Sequence, residues 1–127
     1  MRVVAIIQAR MSSTRLPGKI LEPLGNATVL EWVVSAARAA KLVDDVAVAT
    51  STDSTDDVTS DVCERLRVTC VRGSLDDVVS RYQLAMLTTN ADAIVRLTAD
   101  CPLLDPRLID QCVAVWRADP SIFMATN

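Results

Sequence analysis

Short apolar runs and stretches of helical period take turns along this chain. Val3–Gln8 is a β-branched run with the pattern of a buried strand. Thr28–Ala40 then sets Val29, Leu30, Val33, Val34 and Ala37 at helical spacing, which predicts an amphipathic helix. Asp45–Thr50 reads as a second strand. Asp56–Arg67 carries Val58, Val62 and Leu66 one turn apart, a helix with a polar outer face. Val68–Val71 is a short third strand. Leu75–Leu87 reads as a helix opened by Ser74 as N-cap, with Asp76 and Asp77 in its first turn. Asp92–Leu97 is a fourth strand, and Asp105–Arg117 a helix entered through an N-cap aspartate and a proline at N1. Ser121–Ala125 reads as the start of a fifth strand.

Strand and helix alternate four times, which predicts an α/β fold. The expected architecture is three-layered: a mostly parallel sheet, helices on both faces, right-handed crossovers. At 127 residues the chain is expected to be one domain with a single core. Hydrophobic residues make up 50% of the chain and aromatics only 3%, so the core must rest on Val, Ala, Leu and Ile, as in buried parallel sheets.

Charge and cysteine usage narrow the chemistry. A formal charge of -3 gives no electrostatic reason to expect nucleic acid or an anionic membrane as partner, so any positive site must be local. The apolar stretches are too short to span a bilayer, and Arg2 leads into a strand without a signal-peptide pattern; the expected location is the cytoplasm. Cys63, Cys70, Cys101 and Cys112 form no CxxC pair and read as reduced, mostly buried thiols. The chain has no histidine, which argues against zinc sites of the usual kinds and excludes Ser-His or Cys-His catalysis. What remains is Arg, Lys, Asp, Glu, hydroxyls and a hard cation.

Open α/β sheets bind ligands at the carboxyl ends of their strands, where strand order reverses. The connection after the first strand runs from Gln8 through Ala9, Arg10, Met11, Ser12, Ser13, Thr14, Arg15, Leu16, Pro17 and Gly18 to Lys19. It gathers three cations and three hydroxyls in an acidic chain. Arg10 and Arg15 offer planar forks to phosphate oxygens, and Lys19 a point charge. The Ser12-Ser13-Thr14 backbone can add N–H donors by curling into an anion nest, and the Pro17-Gly18 turn would fold Lys19 back toward Arg10. Neither a Walker A loop nor a GxGxxG fingerprint is present, and the residues alone leave a solvated loop of internally paired charges as the alternative.

Ala-Arg followed by Ser-x-Arg-Leu-Pro-x-Lys resembles the signature of cytidylyltransferases that make CMP-activated sugar acids. Ile6–Lys19 is closest to the branch named for spore coat polysaccharide biosynthesis protein F. Arg72-Gly73-Ser74-x-x-Asp77-Val78 with Arg81-Tyr82 is similar to its second block, and Arg96–Leu103 to a third. The three blocks fall in order, each after an expected strand. The resemblance implies a nucleotide-diphospho-sugar transferase-like fold, of which the chain is a truncated, nucleotide-binding portion. It also implies the reaction: attack of a sugar or sugar-acid hydroxyl on the α-phosphate of CTP, with loss of pyrophosphate.

Residue roles follow from the same likeness. Arg10 and Lys19 occupy the phosphate-binding basic positions, Ala9, Ser12 and Ser13 belong to the same loop, and Arg15 is the weaker phosphate contact. Arg72 falls near the expected pyrimidine base, with Ser74 and Asp77 lining that region and also suited to capping a helix. Asp100 falls where the family holds Mg2+ against the nucleotide, its alternative being a turn cap before Pro102. Thr98 replaces a glutamine found in some sugar-acid enzymes, and Arg96 near a strand end is positioned to meet an anion. Positioning and charge neutralisation suffice for such chemistry, so the missing histidine is no objection. A second acidic metal ligand, much of the acceptor pocket and homodimer contacts are expected from a later portion. The alternatives are a glycosyltransferase of related fold, whose usual Asp-x-Asp motif is missing here, and a non-catalytic nucleotide-binding or assembly module.

Overall fold

The computed structural model describes residues 1–12, 17–119 and 121. Strands β1 (Val3–Gln8), β4 (Asp45–Ser51), β5 (Thr69–Gly73) and β6 (Ala93–Thr98) form one parallel sheet in the order β5-β4-β1-β6. A two-stranded antiparallel ribbon, β2 (Pro23–Leu24) with β3 (Ala27–Thr28), leads into the first helix. Helices α1 (Val29–Ala39), α2 (Asp57–Leu66), α3 (Val78–Thr89) and α4 (Pro106–Ala118) follow their strands in alternation.

The period-two alternation of β1 divides the core. Ala5 and Ile7 pack with Leu30, Val33, Val34 and Ala37 of α1 and with Val62 and Cys63 of α2. Val4 and Ile6 point the other way, onto Tyr82 and Ala85 of α3. On the α1 side, Val3 also meets Ile109 and Val113 of α4. The result is helix, sheet, helix: three layers, as the alternation of elements requires. Each fully buried Ile or Leu contributes roughly 1.5–3 kcal/mol relative to exposure.

Local chemistry explains the helix starts. The Thr28 hydroxyl accepts the Glu31 N–H while the Glu31 carboxylate accepts the Thr28 N–H, a capping box that fixes the entry to α1. The Asp105 carboxylate accepts the Arg107 N–H and Pro106 occupies the first turn of α4. At α3 the structure corrects the expected start. Ser74 caps only a preceding turn, its hydroxyl accepting the Asp77 N–H, and Asp77 caps the helix by accepting the Ser80 N–H. Two overlapping caps three residues apart compete here, and the carboxylate takes the helix. The β2–β3 ribbon has no counterpart in the hydrophobic pattern, because two-residue strands are too short to show a period. The expected strand at Ser121–Ala125 lies, beyond Ser121, outside the described residues.

Strand order sets the position of the site. From β1 the chain passes to β4 and β5 on one side and then returns to β6 on the other, so the order reverses between β1 and β6. Neighbouring connections diverge at such a switch point and leave a crevice at the carboxyl edge.

Candidate active site at the carboxyl edge

Gln8 lies opposite Ala49 on one side and Thr98 on the other, so β1 and β6 end level while β4 runs two residues further, to Ser51. The Ala9 N–H donates to the Ala49 carbonyl at 3.0 Å and the Ala99 N–H to the Gln8 carbonyl at 2.9 Å, closing the ladders just before the chain leaves the sheet. Ala9 was expected to line the nucleotide; its methyl is instead packed in the core and its N–H is already used. It anchors the loop.

The loop is then bent twice. The Met11 N–H donates to Asp56 Oδ1 at 2.7 Å. The Gly18 N–H donates to the Met11 carbonyl at 2.8 Å, bringing the far end of the loop back to its start. Gly18 has φ +76°, a left-handed conformation that disfavours any side chain, and it directly precedes a short 3-10 turn at Lys19–Leu21. The Pro17-Gly18 turn, expected to fold Lys19 back toward Arg10, returns the chain to Met11 and sets Lys19 against Asp100. Ile20 is buried and pins that turn to the core.

Lys19 meets Asp100 across the switch point, with Nζ 3.8 Å from Oδ2. Both side chains remain about half exposed, at 44% and 53%, so each is free to accept a ligand. The Asp100 carboxyl is held below its ordinary value, first by the Thr98 hydroxyl, and further by its own backbone amide, the Lys19 ammonium and the Cys101 thiol. Thr98, expected at the nucleotide, sits against Asp100. Arg10 is exposed on the same loop and makes no ion pair among the described residues. Ser12 is half-buried at the loop's turn. Ser13 and Arg15, both expected phosphate contacts, lie outside the described residues, as does most of the expected Ser12–Thr14 nest.

Three other expectations change. Arg72 Nε donates to the Ser51 carbonyl at 2.8 Å, and its Nη2 donates to the Asp53 carbonyl at 3.0 Å and to Asp57 Oδ1 at 2.9 Å. Most of its guanidinium thus ties the β4–α2 connection together, which leaves only Nη1 for a base. Ser74 and Asp77 are committed to the turn and cap described above. Arg96 was expected to reach the pocket; its guanidinium lies 5.3 Å from the centroid of the Tyr82 ring, a cation–π contact on the α3 face. The thiols, expected to be mostly buried, are so only at Cys63: Cys70 and Cys112 are half-buried and Cys101 is exposed, and Cys63 and Cys70 lie side by side across α2 and β5. The Cys70 thiol is lowered to about 7, chiefly by the hydrogen bond from Cys63.

Two site residues carried no local sequence signal as such. Asp56, wholly buried, accepts from the Met11 N–H, the Thr59 hydroxyl at 3.1 Å and the Ser51 hydroxyl. One carboxylate thereby locks the cationic loop to β4 and α2. Replacing Asp56 by alanine leaves three donors without an acceptor and is expected to cost about 3 kcal/mol of stability. It should also loosen the start of the loop, so that nucleotide affinity falls as well. Urea unfolding and calorimetry on the same variant check both effects. The second residue is Arg81, buried in α3.

A doubly wound parallel sheet with a cationic loop facing a carboxylate across its switch point is an α/β architecture of the kind that takes ligands at this edge. The chain belongs to the cytidylyltransferase family: residues 4–127 match the family model described as Cytidylyltransferase. Among its curated relatives, the spore coat polysaccharide biosynthesis protein SpsF of Bacillus subtilis is 38% identical over 112 residues, 85% of this chain and 47% of that protein. The 3-deoxy-manno-octulosonate cytidylyltransferase of Bdellovibrio bacteriovorus is 32% identical over 126 residues, 99% of this chain and 50% of that enzyme. A cytidylyltransferase structure from Leptospira borgpetersenii superposes with a TM-score of 0.89 at 41% identity, covering 94% of this chain and 50% of that one. A CMP:2-keto-3-deoxy-manno-octonic acid synthetase solved with CTP gives 0.85 at 26% identity, covering 96% and 50%. The chain spans about half the length of these relatives.

Proposed function

We propose that this chain supplies the CTP-binding half of an enzyme that transfers a cytidylyl group to a sugar or sugar acid and releases pyrophosphate. The observation that carries the reading is the pairing of Lys19 with Asp100 across the β1–β6 switch point, 3.8 Å apart, on a loop that also carries exposed Arg10. A triphosphate entering the crevice meets Arg10 and Lys19 from the loop side. Their charge would stabilise the leaving pyrophosphate, the form of assistance such displacements most need. Because Lys19 is held by a turn and a buried neighbour, the charge is in place before the substrate arrives.

Asp100 fits a role as one magnesium ligand. Magnesium commonly takes one or two carboxylates, with substrate phosphates and water completing its shell. Asp100 is a half-exposed, ionised carboxylate with an adjacent cation, and no group of three metal-binding side chains surrounds it among the described residues. The rest of the shell would then come from CTP, from water and from the remainder of the enzyme. Bound there, magnesium would polarise the α-phosphate and neutralise charge on the triphosphate.

The relatives' printed names support a sugar-acid acceptor and a place in polysaccharide biosynthesis, including spore coat material. No helix among the described residues is long and apolar enough to cross a membrane, which accords with action on cytoplasmic CTP. The outer edge of β6 has no partner strand among the described residues, a surface suited to the rest of the enzyme or to a second copy in a homodimer. The test is pyrophosphate release from CTP and Mg2+ with a panel of sugar acids, beside calorimetric CTP binding. The reading expects CTP to bind in preference to UTP, and pyrophosphate to appear with one acceptor of the panel. Binding without release would assign a nucleotide-binding module, and preference for a UDP-sugar a glycosyltransferase.

A further inference from the structure

Arg81, in the first turns of α3, is 1% exposed, and none of its Nε, Nη1 or Nη2 atoms has a hydrogen-bond partner among the described residues. Guanidinium stays charged in proteins, and a buried, unpaired charge is among the most unfavourable features a fold can carry. Its surroundings show that the position is built. Gly73, at the carboxyl end of β5, lies directly beneath it: a Cβ there would come 2.8 Å from Arg81 Cγ, so the glycine makes room for the arginine stem. The charge is disfavoured further by Arg10, the exposed cation of the phosphate loop. Asp56 is the nearby anion, yet its oxygens are taken by the Met11 N–H and by the Ser51 and Thr59 hydroxyls. Two arginines thus share the carboxyl edge of the sheet with no anion assigned to either.

We propose that Arg81 is a nucleotide-binding residue, a buried second cation that pairs with a phosphate group of the nucleotide together with Arg10. The inference rests on the CTP-binding reading above and adds a contact from α3 to the loop from β1. It also gives Gly73 and the Arg-Tyr pair of the second sequence block a reason in this structure. A charge without a partner destabilises the empty protein and is compensated when the anion binds, so ligand binding and stability should respond to Arg81 in opposite directions.

Arg81→Met keeps the bulk of the stem and removes the charge, and Arg81→Lys keeps a charge without the fork. Thermal unfolding of the empty protein is compared with calorimetric titration of CTP, CMP and cytidine into wild type and both variants. The expected result is an empty Arg81→Met protein at least as heat-stable as wild type. Its CTP affinity should fall by tenfold or more, cytidine affinity should not change, and Arg81→Lys should lie between. A marked fall in the melting temperature of empty Arg81→Met would show that the guanidinium is held by the protein itself and overturn the proposal. So would CTP affinity equal to wild type, or an equal loss for cytidine, which would move the contact to the base. Wild-type protein that bound no CTP would instead defeat the underlying functional reading.

Discussion

Replacing Lys19 with alanine is expected to weaken CTP binding by about ten- to a hundredfold and to depress turnover further, while leaving the fold intact. The affinity figure follows from losing one charge-assisted hydrogen bond, about 1.5–3 kcal/mol. The added loss of turnover follows from the leaving pyrophosphate, whose charge grows as the bond breaks; removing a donor aimed at developing charge costs about a hundredfold or more in rate. Lys19 is suited to this because its backbone is fixed. Gly18 in its left-handed conformation, the Gly18–Met11 hydrogen bond and buried Ile20 hold the turn, and only the ammonium is free. Stability should scarcely change, because an exposed pair such as Lys19–Asp100 contributes about 0–1 kcal/mol. Calorimetry, pyrophosphate release and thermal unfolding of the one variant separate these three effects.

Asp100→Ala is expected to abolish the gain in CTP affinity that Mg2+ brings, with little effect on metal-free binding. Metal-free binding depends on the cations, and removing Asp100 deletes a competitor for Lys19, so affinity without metal should hold or rise slightly. The pH behaviour has a definite sign. The folded-state carboxyl is held below 3.8 by the Thr98 hydroxyl, its backbone amide, Lys19 and Cys101. Asp100 is therefore ionised throughout the pH range above 3.8, and its contribution to stability is complete there. That contribution disappears only as pH falls through the lowered folded-state value. The stability difference between wild type and Asp100→Asn should accordingly be small and constant above 3.8 and vanish in stronger acid. Thermal unfolding across pH checks the second statement, and CTP titrations with and without Mg2+ the first.

The hydrophobic pattern was sufficient for the layers, because every principal strand and helix buries a face whose period is written locally. The cationic loop was conspicuous for a similar reason: its charges cluster within one connection. Asp56 was not, since its decisive contact joins it to Met11, 45 residues earlier, through a sheet whose strands are not neighbours in sequence order. In sequence it looks like an ordinary acid at a helix start. Arg72 shows the converse. Its position after a strand suggested a base contact, but the carbonyls of Ser51 and Asp53 turn toward it when the β4–α2 connection curls. Arg81 appeared in a matching block without a role, and only burial without a partner singles it out.

If the loop ending at Lys19 and the carboxylate of Asp100 form a single site for CTP and magnesium, calorimetric titration of CTP into this chain with and without Mg2+ tests it most directly. Saturable CTP binding is expected that tightens with Mg2+ in wild type, tightens no longer in Asp100→Ala, and weakens in both conditions in Lys19→Ala. CTP affinity that ignored both substitutions would contradict it.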